Sequence, residues 1–272
     1  MRYFHFVRAN VIMLALALIV TAPASARSVA TWRTPDPQNV LVFDTSKGRI
    51  FIELYPQIAP KAVERIKLLA RRGTYDGLQF WRVIPGFVAQ TGDPDNHDGG
   101  KTELPNLAPE FTFKLAEGGD AAQVARPQGL REGFIGAMPY IAGEPSKPGL
   151  VHAWGSFCSG VMGMGRDEKI DSANAEIFFM LAATPRLDRD YTPVGRVLAG
   201  EAVLSALKTG EPALDADTMI HVHVLADLSN APNLRVMNVQ SRTFARIVAQ
   251  VRRRKGADFS VCDVTVPTKV MP

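Results

Sequence analysis

Alternating apolar and polar positions predict strands at the start of the folded part of the chain. Residues 39–45 and 49–55 alternate on either side of the polar turn 46–48, which is typical of a β-hairpin. Residues 56–73 then carry apolar side chains three to four positions apart, and Gly73 suits the end of a helix. The pattern therefore predicts a hairpin followed by an amphipathic helix.

The next stretch places an arginine in the middle of a predicted strand. Alternation puts Arg82 on the same face as Phe80 and Ile84. A second short strand, residues 87–91, follows a Pro-Gly interruption. A guanidinium cannot lose its charge, so Arg82 either faces water or serves a site. Periodicity alone leaves both interpretations open.

The second half of the chain shows the same two kinds of pattern. Residues 176–179 and 218–226 alternate as strands. Residues 201–208 and 241–255 have helical spacing, and residues 259–266 alternate again. We therefore expect short helices between strands and a last strand near the carboxyl terminus.

Residues 1–26 have the layout of a secretory signal. Arg2 and Arg8 form a basic start, residues 11–20 are apolar, and Ala24-Ser25-Ala26 suits a cleavage site. The apolar run is about half of the roughly 20 residues that span a bilayer, although an uncleaved anchor is an alternative. We expect a periplasmic or secreted protein, with no stable membrane insertion after the signal is cleaved.

Composition indicates a folded protein and argues against two kinds of binding partner. The 272 residues are 46% hydrophobic and 21% charged, which is ordinary for a folded protein. Without Arg2 and Arg8 the formal net charge falls from +4 to about +2. That charge is too small to indicate binding to nucleic acid or to a membrane surface.

Two cysteines, Cys158 and Cys262, are few for a disulfide scaffold. In an oxidising compartment they are a possible disulfide that would pin the carboxyl-terminal segment to the body. Two free buried thiols are the alternative. His221 and His223 share one face of their predicted strand, but no third ligand is evident, so we expect no metal site.

Residues 80–93 read Phe-Trp-Arg-Val-Ile-Pro-Gly-Phe-Val-Ala-Gln-Thr-Gly-Asp. This string resembles the signature of the cyclophilin-type peptidyl-prolyl cis-trans isomerases, with its arginine, Pro-Gly-Phe turn, glutamine and Gly-Asp. Residues 171–181 resemble that family's Asn-Ser-Ala-Asn-Ser-Gln-Phe-Phe-Leu segment. The resemblance covers about residues 40–114 and 156–228.

The resemblance implies a mainly β fold, a closed antiparallel eight-stranded barrel capped by helices, with a substrate groove on its outer wall. The organisation expected around it is a linker at 27–39 and an isomerase domain at 40–228. That domain would contain a loop insertion at about 115–155. Residues 229–272 would form a carboxyl-terminal helix-strand appendage.

The same resemblance implies a function and a site. The expected reaction is rotation of X-Pro peptide bonds in exported proteins, which assists their folding and needs no metal or cofactor. The expected partners are proline-containing unfolded or flexible polypeptides. Arg82 is the implied catalytic donor. The implied substrate-binding residues are Phe87, Val88, Gln90, Gly165, Glu176, Phe178, Leu187 and Tyr191.

Several positions depart from the family pattern. Glu176 stands where a glutamine is usual and would either hold the guanidinium of Arg82 or compete with substrate for it. Arg166 replaces an asparagine, Arg186 a tryptophan and Tyr191 a histidine that are common in the family. These departures motivate an alternative function, a weakly active or inactive peptide-binding or chaperone module.

Overall fold

The computed structural model describes residue 1 and residues 29–92, 102–116, 121–143 and 150–271. The predicted signal peptide lies outside this part except for Met1. The strands are β1 (Trp32–Arg33), β2 (Val40–Thr45), β3 (Gly48–Leu54), β4 (Arg82–Ile84), β5 (Val88–Thr91), β6 (Phe113–Ala116), β7 (Ala121–Ala125), β8 (Arg131–Ile135), β9 (Met138–Ala142), β10 (Leu150–Gly155), β11 (Val161–Met164), β12 (Ile177–Met180), β13 (Pro193–Ala199), β14 (Met219–Val224), β15 (Asn233–Met237) and β16 (Thr268–Met271). The α-helices are α1 (Pro60–Arg71), α2 (Glu201–Ser205) and α3 (Arg242–Lys255).

An eight-stranded antiparallel sheet forms the centre of the molecule. Its strand order is β14-β2-β3-β13-β11-β12-β5-β4. The β2–β3 pair runs in register from Val40 opposite Glu53 to Thr45 opposite Gly48, which confirms the predicted hairpin. The sheet curls around a core in which Phe43, Ile52 and Phe179 are fully buried.

The prediction of a closed barrel is wrong, because the sheet is an open, curled half-barrel. In the described chain, its edge strands β4 and β14 are not paired with each other. Among the residues that the structure describes, the edges meet through the irregular segment before β4, where Gln79 forms an isolated bridge with Thr218. The Met219 amide donates to the Leu78 carbonyl oxygen at 2.8 Å. A three-residue strand is too short to complete a ladder around the barrel.

Helices are few, and α1 provides the main helical contact with the sheet. It starts at Pro60 and packs against β14. Proline is tolerated at the first helical position because the N–H that it lacks would have no partner within the helix. The predicted apolar stripe is confirmed, since Val63, Ile66 and Leu69 are buried in the core. Helix α2 has only five residues and contacts β3.

The insertion is a sheet, so the prediction of a loop at about 115–155 is wrong. It forms five antiparallel strands in the order β6-β10-β9-β8-β7. Glycines occupy positions where strands approach closely, and they interrupt the alternation of apolar and polar side chains that would predict strands. A Cβ at Gly133 would lie 2.3 Å from the Ala122 carbonyl oxygen and 2.8 Å from the Tyr140 ring. Phe134 and Met138 are buried in the same core as the central sheet.

A third sheet, in the order β1-β15-β16, pairs two strands of the carboxyl-terminal segment with β1, which lies in the predicted linker at 27–39. The linker therefore contributes a strand, and α3 follows β15. The predicted helix at 241–255 is confirmed, and the Ser241 side chain caps it by accepting from the Phe244 amide at 3.1 Å. The predicted strand at 259–266 is wrong. That stretch contains a 3₁₀ turn at Val261–Asp263, and the last strand is β16.

Cys158 and Cys262 form a disulfide that spans 104 residues of sequence. It ties the segment after the insertion sheet to the carboxyl-terminal segment. No helix within the described residues has both the length and the apolar character needed to cross a membrane.

Candidate active site

One row of side chains crosses four strands of the central sheet. Arg82 on β4 lies opposite Gln90 on β5, Gln90 opposite Phe178 on β12, and Phe178 opposite Gly163 on β11. Directly opposite residues of antiparallel strands share a face of the sheet. The register therefore brings a cation, an amide and an aromatic ring to the same face.

The next residue along β12 points the other way. Phe179 is fully buried and makes an edge-to-face contact with Phe43 at 5.5 Å between ring centroids. Phe80 contacts Phe179 from 6.4 Å, so it lies in the core and not on the face of Arg82 as alternation predicted. The reason is that β4 begins only at Arg82, and the irregular residues before it break the alternation.

These side chains line a cavity of about 80 Å³. A water molecule occupies about 30 Å³ in the liquid, so the cavity has room for a small ring. Eight of the nine predicted site residues line it, Glu176 is the exception, and Arg166 is an addition. The lining residues are Arg82, Phe87, Val88, Gln90, Gly165, Arg166, Phe178, Leu187 and Tyr191.

The ring of Phe178 is fixed from several sides. It stacks on Phe157 with ring centroids 5.6 Å apart, and Tyr191 meets it edge-to-face at 5.6 Å. Gly163 supplies the space behind it, because a Cβ there would lie 2.6 Å from the Phe178 ring. The apolar wall of the cavity is therefore rigid, since three neighbours determine the position of one ring.

Arg82 is held at the edge of the cavity by two side chains. Its Nε forms an ion pair with Glu211, and its Nη1 donates to Gln90 Oε1 at 3.1 Å. The guanidinium carbon lies 5.7 Å from the centroid of the Phe87 ring. A guanidinium has five N–H donors, so within the described residues these two bonds leave three for another molecule. The side chain is 22% exposed, which leaves it within reach of a ligand.

Glu176 does not hold Arg82, whose partners are Glu211 and Gln90. Glu176 is 1% exposed and packs behind the cavity wall. A Cβ at Gly165 would lie 2.7 Å from Glu176 Cγ, and the Gly165 amide donates to the Glu176 carbonyl oxygen at 2.8 Å. Glu176 therefore packs against Gly165 and positions the backbone of that cavity residue.

Sequence reasoning missed Glu211. It lies 129 residues from Arg82, in a loop whose neighbour Gly210 exchanges backbone hydrogen bonds with Val83. No motif connects these positions, because the contact arises only when the loop crosses the open edge of the sheet.

Leu187 reaches the cavity from a 3₁₀ turn, Pro185–Leu187. Asp188 anchors this turn by accepting from the Phe157 amide at 2.9 Å and from Ser156 Oγ at 3.2 Å. Burial raises the pKa of the Asp188 carboxyl from its usual 3.8 to about 6, against the opposing effect of those hydrogen bonds. The anchor therefore titrates within the range of ordinary assays.

Arg166 forms the opposite rim. Its Nη2 pairs with Asp190 at 2.7 Å, and its guanidinium lies 4.5 Å from the Tyr191 ring centroid. This pairing fixes the arginine over the tyrosine and narrows that side of the cavity.

A larger cavity of about 290 Å³ lies elsewhere, between the three sheets. Its charged groups satisfy one another: Arg33 binds Glu53 at 2.5 and 2.7 Å, and the Tyr55 hydroxyl donates to Glu53 at 2.5 Å. The charged groups of this cavity are therefore less available to bind a ligand than the Arg82 guanidinium. In the described residues, no three histidine, cysteine or acidic side chains are grouped to hold a metal ion.

Comparison with known proteins places this geometry in a family. Residues 40–226 match the family model described as cyclophilin type peptidyl-prolyl cis-trans isomerase/CLD. A Brucella suis protein named "Probable peptidyl-prolyl cis-trans isomerase" is 34% identical over 200 residues, which cover 73% of this chain and 86% of that protein. The crystal structure of cyclophilin AquaCyp293 from Hirschia baltica superposes with a TM-score of 0.80 at 30% identity, covering 88% of this chain and 93% of that one. The chain thus belongs to the cyclophilin-type peptidyl-prolyl cis-trans isomerase family.

Proposed function

We propose that this protein accelerates cis-trans rotation about X-Pro bonds, with Arg82 as the catalytic group. The observation that carries the proposal is the position of the Arg82 guanidinium. It is oriented by Glu211 and Gln90 and lies at the rim of an apolar cavity large enough for a small ring.

The physical task is to weaken one amide resonance. Rotation about a peptide bond has a barrier of about 18–20 kcal/mol because the C–N bond has partial double-bond character. A donor aimed at the prolyl nitrogen competes for its lone pair and so reduces that character. Lowering the barrier by about 5.5 kcal/mol accelerates rotation about 10⁴-fold. A fixed charged donor beside an apolar wall supplies this kind of stabilisation.

The other cavity residues have roles that follow from their chemistry. The apolar side chains of Phe87, Val88, Phe178 and Leu187 would hold the proline ring, and Gln90 would orient both Arg82 and the peptide. The substrates are flexible, proline-containing polypeptides, because an exposed rim of this kind admits an extended chain and not a folded one.

The test is to replace Arg82 with alanine. We expect Arg82→Ala to lower kcat/KM on a proline peptide by about 10²-fold or more, the effect of removing one preorganised donor. Arg49→Ala is a matched control, because Arg49 also pairs with a carboxylate, Asp44, and does not line the cavity. The control should retain the wild-type rate, and far-ultraviolet circular dichroism should show both variants folded.

A folded Arg82→Ala variant with the wild-type rate would overturn the assignment of Arg82. Wild-type protein that binds proline peptides without accelerating their rotation would instead identify a peptide-binding module of the same fold.

We also propose that the protein is exported to the periplasm or secreted. Support comes from the basic and apolar layout of residues 1–26 and from the Cys158–Cys262 disulfide, since disulfides persist in oxidising compartments. Protein recovered from the export compartment should begin at Arg27. An intact amino terminus on that protein would contradict cleavage after Ala26.

A further inference from the structure

Two arginines lie over the same aromatic ring at the rim of the cavity. The guanidinium carbon of Arg82 is 5.7 Å from the Phe87 centroid, and that of Arg186 is 4.9 Å from it. Arg186 is exposed and precedes Leu187, which lines the cavity. A cation over an aromatic face is attracted by the ring quadrupole, so the Arg186 side chain has a preferred position beside the site.

Arg186 differs from the other two rim arginines in its charge balance. Arg82 is paired with Glu211 and Arg166 with Asp190. In the part of the chain that the structure describes, Arg186 has no carboxylate within ion-pair distance.

The acid nearest to Arg186 in sequence faces the other way. Asp188 accepts from the backbone and side chain of residues 156–157, inside the turn. Arg189, on the same segment, lies 4.8 Å from the Trp154 ring centroid and attracts the Asp188 carboxylate. With Asp188 ionised, residues 186–189 carry a net charge of +1, which is the charge of Arg186.

The opposite side of the cavity is closer to neutral. Beyond Arg166 the surface opens into a depression lined by Arg166, Asp167, Glu168, Lys169 and Tyr191, which carries two charges of each sign. A peptide lying across the site would therefore meet positive charge at one flank and balanced charge at the other.

We propose that Arg186 selects substrates, by favouring an acidic side chain at one position flanking the proline, on the side of Phe87. The substrate class is proline peptides with an aspartate or glutamate within two residues of the proline. The proposal rests on the proposed function only for where the proline ring binds, and it assigns Arg186 a role in specificity and none in bond rotation.

The test uses short proline peptides that carry either glutamate or lysine at one of the two positions before or after the proline. Affinity is measured by NMR titration, which does not require catalysis. At the flanking position nearest Arg186, we expect the glutamate peptide to bind about two- to fivefold more tightly than the lysine peptide at low salt. That ratio is in the range of an exposed ion pair. The preference should shrink when salt screens the charges.

Variants isolate the contribution of Arg186. Arg186→Gln should abolish the glutamate preference, and Arg186→Glu should reverse it towards lysine. Arg252→Gln is the matched control, because Arg252 also lies over an aromatic ring, 5.0 Å from the Phe259 centroid, but on α3. The control should keep the wild-type ratio.

The inference is overturned if no flanking position shows a glutamate preference, or if the preference survives in Arg186→Gln. The rate of cis-trans rotation about the X-Pro bond, measured on a peptide with alanine at every flanking position, reports separately on the proposed function. Loss of that acceleration in the wild type, with the glutamate preference in binding retained, would refute catalysis and still support the role of Arg186.

Discussion

Single residues decide whether the cavity exists, and Gly163 is the clearest case. It lies opposite Phe178 in the β11–β12 pair, and the Phe178 and Phe157 rings occupy the space that any side chain at position 163 would need. The Phe178 ring can yield towards the cavity that it lines, because Phe157 stacks on it and Tyr191 meets it edge-to-face from other sides. The size of the cavity therefore depends on the absence of one methyl group.

Gly163→Ala should push the Phe178 ring into the cavity. We expect a several-fold loss of affinity for proline peptides and a loss of about 1–3 kcal/mol in the free energy of unfolding, typical of overpacking. NMR titration and urea denaturation measure the two effects. Gly143→Ala is the control, since the nearest atom to its Cβ would be 4.0 Å away. Unchanged peptide affinity in Gly163→Ala would contradict this account of the cavity.

Most of the cavity residues could be predicted because the sequence resembles the family at those positions, although only four of the nine lie on strands. Alternation adds that Val88 and Gln90 share one face of β5, without knowledge of distant contacts. Glu211 could not be predicted in this way, since its contact with Arg82 depends on how a loop crosses the sheet edge. Phe80 was misassigned because alternation fails where a strand has not yet begun.

At the scale of elements, the turn that carries Arg186 and Leu187 is controlled by its anchor. Asp188 ties it to residues 156–157, which directly follow strand β10 of the insertion sheet. The insertion therefore helps to position one rim of the site, although it was expected to be a loop.

The raised pKa of Asp188 predicts a pH dependence of stability. The folded protein, with a pKa of about 6, binds the proton more tightly than the unfolded chain, whose carboxyl has the usual 3.8. This group's contribution to the free energy of unfolding therefore decreases as pH rises from about 4 to 6, and is constant above. In Asp188→Asn that contribution is absent.

Urea denaturation of both proteins at pH 4, 5, 6 and 7 measures the effect. The stability of Asp188→Asn minus that of wild type should rise across this window and level off near pH 7. A difference that stays flat, or falls, would show that the carboxyl is not destabilised by burial.

At the scale of the whole molecule, three sheets share one continuous core. Phe134 of the insertion sheet packs edge-to-face on Phe244 of α3, with ring centroids 5.6 Å apart. The Val261 amide donates to the Glu132 carboxylate at 2.7 Å, which joins the carboxyl-terminal segment to β8. The disulfide adds a covalent connection near the same junction, because Cys262 directly follows Val261.

Removing the disulfide should destabilise the whole assembly. Its two cysteines are 104 residues apart, so its loss frees a long loop in the unfolded chain. We expect the double variant Cys158→Ser, Cys262→Ser to lose about 2–4 kcal/mol in the free energy of unfolding. Reductant should lower the Tm of the wild type and leave that of the variant unchanged. Equal Tm values for the wild type with and without reductant would contradict the prediction.

The sequence by itself determined the elements whose information is local: the β2–β3 hairpin, the buried stripe of α1, helix α3 and the shared face of Val88 and Gln90 on β5. The other site residues were identified through the resemblance to a known family. The tertiary structure decided that the barrel stays open, that the insertion pairs into a sheet, and that Glu211 rather than Glu176 orients Arg82. These outcomes depend on contacts between residues far apart in the chain. Alternation and helical spacing report which face of an element is apolar, and they carry no information about which distant element covers it.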